Sequence, residues 1–148
     1  TRSKRPPADK INALISYVNT RIYNVCLSEI YKTELDPRIG FLHEPNYRAL
    51  SLHLDLAEIF KPILGDTLIF SMLNKKEIAA KDFQTDAGRI KFSNDAVQKI
   101  ELKMIARLGE TISLGGQNLT WRQVIRREAN QIKKCICEDA PYEGLVWS

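Results

Sequence analysis

The chain has 148 residues, 44% of them hydrophobic and 27% charged, with a formal net charge of +4. That length suits one domain able to bury roughly two thirds of its extended surface, and the composition is that of a soluble globular protein, not a fibrous or disordered one. No apolar run approaches the roughly 18 residues that span a bilayer, and no signal-peptide pattern opens the chain, so no membrane partner is expected.

Residues 1–8 read as a basic arm or linker, because Arg2, Lys4 and Arg5 carry charge and Pro6-Pro7 opposes helix. Residues 9–148 read as a helical domain. Asp9 is placed to cap a helix from Lys10 to about Thr33, with Ile11, Leu14, Ile15, Val18, Ile22, Val25, Cys26 and Ile30 as its apolar stripe. Asp36-Pro37 and Gly40 break that helix. A second helix is predicted from Tyr47 to Phe60, and a third from Pro62 to about Asn74, with proline in its first turn.

Asp86-Ala87-Gly88-Arg89 looks like the turn of a small hairpin between Phe83 and Phe92. Ser93 or Asn94 then caps a helix to about Leu108, and Gly109 and Gly115-Gly116 mark a loop. Thr120-Trp121-Arg122-Gln123 is a capping-box pattern opening a last helix striped by Ile125, Ala129, Ile132 and Ile136. A tail from Pro141 to Ser148 is expected to dock through Tyr142, Leu145, Val146 and Trp147. The expected fold class is all-α: a bundle of five to six helices with at most one small hairpin, near residues 83–92.

The chemistry concentrates at His43 and at the pair Asp55 and Glu58. A helical period puts the two carboxylates about a turn apart on one face, and His43 precedes them on a loop. Imidazole and carboxylate together suit Mn²⁺ or Mg²⁺. Three other readings compete: a hydrogen-bonded structural histidine, a solvated acid pair, or an acid pair met by a basic side chain. His53 falls on another face.

Neither G-x-x-x-x-G-K-[ST] nor G-x-G-x-x-G occurs. Cys26, Cys135 and Cys137 are odd in number and lack C-x-x-C spacing, which argues against disulfides and structural zinc and for a reducing cytoplasm. Cys26 reads as core, and Trp121 and Trp147 as packing residues. Arg122, Arg126, Arg127, Lys133 and Lys134 give the end of the chain a basic face able to meet phosphate.

Three segments resemble a known family. They are Arg5-Pro6-Pro7-Ala8-Asp9 with Asn12-Ala13-Leu14-Ile15-Ser16-Tyr17, then Leu35-Asp36-Pro37-Arg38-Ile39-Gly40-Phe41-Leu42-His43, then Ser51-Leu52-His53-Leu54-Asp55-Leu56-Ala57-Glu58-Ile59-Phe60-Lys61-Pro62. Asn74-Lys75-Lys76 and Lys81-Asp82-Phe83 follow in order. Together they are similar to the helical C-terminal domain of the universal CRISPR-associated endonuclease and integrase of spacer acquisition, the first of the two adaptation proteins.

The resemblance implies a metal-dependent DNA endonuclease and integrase that inserts new spacers into a CRISPR array by transesterification. Its implied partners are branched or duplex DNA, a second, smaller adaptation protein and a second copy of itself. The family's ligands are a glutamate, the histidine of G-F-L-H and an acid of D-L-x-E; here that assigns His43 and Glu58, with Asp55 as ligand or close neighbour, holding Mn²⁺ or Mg²⁺. Arg48 and Lys61 flank the cluster and read equally as phosphate clamps or as solvent-facing charges. The family's remaining glutamate and its N-terminal β domain lie upstream of the first motif, so 9–148 is expected to be weak or inactive alone. The alternative is a non-catalytic helical DNA-binding module in which His43, Asp55 and Glu58 form a polar network.

Overall fold

The computed structural model describes residues 8–32 and 47–137, with side chains over 9–32 and 54–132. Helix α1 runs from Ala8 to Lys32 and buries Leu14, Val18, Ile22, Val25, Cys26 and Ile30 of the predicted stripe, with Ile11 and Ile15 half-buried at its edge. Helix α2 (Tyr47–Phe60) leads into a π turn (Lys61–Asp66) and then α3 (Thr67–Asn74). Pro62 has no N–H to donate, and its ring crowds the carbonyl four residues back. A widened π turn at that place lets the rod continue past the proline.

Gly65 lets this turn lie against α1, since a Cβ there would come 2.9 Å from Ile22 Cδ1. The carbonyl of Ile63 accepts from Thr67 Oγ1 (2.6 Å) and from Arg107 Nη2 (3.4 Å), so the irregular turn is tied to a residue distant in sequence.

Strands β1 (Phe83–Asp86) and β2 (Arg89–Phe92) form the expected hairpin, with Asp86 opposite Arg89. Buried Asp82 anchors it: its carboxylate accepts from the Ala79 N–H (2.9 Å) and the Ser93 hydroxyl (3.3 Å). Ser93 in turn accepts from the Ala96 N–H and caps α4 (Asn94–Gly109). Strands β3 (Thr111–Leu114) and β4 (Gln117–Thr120) precede α5 (Trp121–Cys137). At the start of α5 the capping box forms reciprocally, Thr120 N–H to Gln123 Oε1 (2.8 Å) and Gln123 N–H to Thr120 Oγ1 (3.2 Å).

The expected all-α bundle of five to six helices is therefore corrected. Among the described residues the chain is mostly helical but carries two antiparallel hairpins, the second where a loop was expected. Gly115 and Gly116 both take positive φ, +57° and +80°, the conformation of a two-residue type I′ hairpin turn. Ile112, buried Leu114 and Leu119 then pack that hairpin on the core. The helix count also falls, because the break expected at Pro62 is bridged by the π turn. Among the described residues the α-helices make four rods: α1, α2 through α3, α4 and α5.

Candidate metal centre on helix α2

Helix α2 buries Leu56, Ala57 and Phe60 completely. Beneath it Trp121 meets the Phe60 ring edge-on, with centroids 6.5 Å apart. Asp55 and Glu58 lie on the opposite, exposed face, as the three-residue spacing requires. Lys61, the first residue of the π turn, donates to Glu58 Oε1 at 2.7 Å. Tyr23 of α1 donates to the same oxygen at 3.5 Å, and the Lys61 ammonium sits 4.4 Å from the centre of the Tyr23 ring. The Lys61 side chain is 20% exposed against 65% for Glu58. Its hydrogen bond holds the Glu58 carboxyl below the usual carboxylate range, and the same contact pushes Lys61 up. Glu58 is thus an ionised carboxylate facing solvent.

Of the residues expected from sequence, Asp55, Glu58 and Lys61 gather on this face. His43 lies outside the described residues, as do the side chains of Arg48 and His53 and the tail from Pro141. Among the described residues no three histidine, cysteine, aspartate or glutamate side chains converge. The residues that are present suit Mn²⁺ or Mg²⁺, hard cations that take anionic oxygens. Of the competing readings, the basic partner is present: Lys61 meets Glu58.

The basic face of α5 is partly spoken for. Glu29 is fully buried on α1 and receives Lys32 (3.1 Å), Arg122 (3.2 Å) and Arg126 (2.9 Å). Burial alone would raise its pKa, but hydrogen bonds from Lys32 and Arg126 outweigh that and hold it below the usual range. Arg127 remains exposed beside a shallow depression lined also by Gln123, Asn130 and Gln131.

Sequence reasoning missed Glu29, although an acid between Cys26 and Ile30 in an apolar stripe calls for cationic partners. It also missed Tyr23, whose position beside Ile22 gives no signal beyond flanking that stripe. Cys26 is core as expected, and burial pushes its thiol up to about 12. Trp121 is 4% exposed, a packing residue. No described helix is long and apolar enough to cross a membrane.

A family model described as CRISPR associated protein Cas1 matches residues 1–104. A CRISPR-associated endonuclease Cas1 from Thermodesulfovibrio yellowstonii is 45% identical, over 99% of this chain and 45% of that protein. A CAS1 protein from Thermotoga maritima superposes with a TM-score of 0.71 at 35% identity, over 87% of this chain and 41% of that one. A casposase bound to integration product gives 0.74 at 25% identity, over 97% and 40%. The chain spans less than half the length of the curated relatives it matches. With its motifs in order and the family model matched over most of its length, the chain belongs to the Cas1 family of CRISPR associated proteins.

Proposed function

We propose that this chain is the helical, ligand-bearing part of a metal-dependent DNA endonuclease and integrase that inserts spacers into a CRISPR array. Its catalytic domain is 9–148 in this reading. The observation that carries the reading is Glu58: an ionised, solvent-facing carboxylate held by Lys61 and Tyr23 on the face that also bears Asp55. The likeness to a casposase bound to integration product supports strand transfer in particular.

In this reading His43 and Glu58 hold Mn²⁺ or Mg²⁺, with Asp55 as ligand or neighbour. The ion supplies Lewis acidity at a DNA phosphate. Glu58 and Asp55 fix that charge on the outer face of α2, and Lys61, with Arg48, meets phosphate oxygens and holds the strand. Transesterification forms one P–O bond to the incoming 3′-oxygen as another breaks, so phosphodiester number is conserved and no nucleotide cofactor is needed.

The family's remaining glutamate, a homodimer, a smaller adaptation partner and a cytoplasmic setting complete the proposal, and activity belongs to a protein of the relatives' length. The test is strand transfer of a labelled duplex with a free 3′-hydroxyl into a plasmid-borne CRISPR array. His43→Ala in the full-length protein lowers the rate about 100-fold or more while Tm is kept. Unchanged transfer would remove His43 from the site.

Glu58 already has a protein cation, which favours a second reading, a non-catalytic DNA-binding module. Such a module binds DNA in a salt-dependent way, ignores chelator and is indifferent to Glu58→Gln.

A further inference from the structure

Both protein donors to Glu58 act on one oxygen. Lys61 Nζ lies 2.7 Å from Oε1 and the Tyr23 hydroxyl 3.5 Å from the same atom. Among the described residues no donor reaches Oε2. Lys61 follows Glu58 by three residues, and its long stem would ordinarily leave its head free to wander in solvent. Here the head sits 4.4 Å above the Tyr23 ring, within reach for a cation–π contact. Tyr23 belongs to the long helix α1 and is packed against the core, so the ring stands on a well-anchored element.

We propose that Tyr23 is a positioning residue: its ring fixes Lys61, the two together hold Glu58 by Oε1, and Oε2 is thereby the oxygen offered to a divalent cation. This rests on the metal-dependent reading above. A flexible glutamate loses rotamer freedom when it binds a metal, and a carboxylate already restrained by one oxygen has less to lose. A counter-ion alone would act in the opposite direction, since an ammonium beside the carboxylate repels a second cation. Only restraint through the ring links Tyr23 to tighter metal binding.

The test uses the full-length protein with Tyr23→Leu, Tyr23→Phe and Glu58→Gln. Free Mn²⁺ is measured by electron paramagnetic resonance, and the Lys61 ε-methylene shift by NMR. The expected wild-type signal is an upfield Lys61 shift from the Tyr23 ring, lost in Tyr23→Leu and kept in Tyr23→Phe. Mn²⁺ affinity should fall about three- to tenfold in Tyr23→Leu, the order expected for releasing one long side chain, and Tyr23→Phe should recover most of it. A merely structural role would lower Tm and leave affinity alone at temperatures well below Tm. Equal Mn²⁺ affinity in wild type, Tyr23→Leu and Tyr23→Phe overturns the positioning role and leaves the metal reading intact. Mn²⁺ binding indifferent to Glu58→Gln overturns the metal reading, and the proposal with it.

Discussion

Glu29 and Glu128 are both buried, yet their environments push them in opposite directions. Glu29 gathers three cations, whereas Glu128 on α5 leaves Oε1 without a hydrogen bond, and burial pushes its carboxyl up. The linkage signs differ accordingly. The folded-state pKa of Glu29 lies below that of the unfolded chain. Its stabilisation is therefore complete above the unfolded value of about 4.3 and is lost as pH falls through the folded one. Glu128 has the reverse order: the fold holds its proton more tightly, so stability falls as pH rises from the unfolded value through the folded one. In urea titrations, Glu29→Gln should lose about 1–3 kcal/mol at pH 7 and less at pH 3.5. Glu128→Gln should gain stability at pH 7, with the gain fading toward pH 4. Parallel pH profiles for the two variants would contradict this assignment. The Glu29 cluster was half legible in the sequence: basic residues on α5 were plain, but their partner lies 93 and 97 positions away. No local spacing reports such a pairing.

At the scale of elements, helices were legible because their apolar residues repeat at 3.6 and their caps are local. Ser93 and Thr120 cap α4 and α5 as read, and α2 runs from Tyr47 to Phe60 as predicted. The second hairpin was missed although Gly115-Gly116 sits between alternating Ile112, Leu114 and Leu119, because two glycines also read as a plain loop. The π turn was missed for another reason: proline ordinarily ends a helix, and only packing against α1 and the ties to Thr67 and Arg107 keep this one going. Its consequence for the site is direct, since the turn begins with Lys61 and sets it over Tyr23. Gly65→Val should lower stability by about 1–3 kcal/mol, the usual range for overpacking, because Ile22 is buried and has little room to move. Thermal unfolding at neutral pH measures it. A Tm within a degree of wild type would show that α1 and the π turn are not in tight register.

At the scale of the molecule, α1 joins the fold to the site. One side of it clasps α4 through Tyr17 and Arg21 on Glu101, at 2.7 and 2.8 Å, and another clasps α5 through Glu29. A third side presents Tyr23 to Lys61 and Glu58. The candidate site was legible as residue types in a pattern, and the acid pair stands where the helical period puts it. The basic partner that the pattern offered for the acid pair is Lys61, and what the pattern could not give is the π turn by which it reaches Glu58 and the Tyr23 ring beneath it. The chain spans less than half of its relatives' length, so the proposed activity is tested in a protein of that length. The most direct measurement is therefore Mn²⁺-dependent cleavage of a branched DNA by the full-length protein, wild type against Glu58→Gln. The account predicts cleavage in wild type that chelator abolishes and that Glu58→Gln lowers about 100-fold or more, with the fold intact. Equal cleavage by both proteins would contradict it.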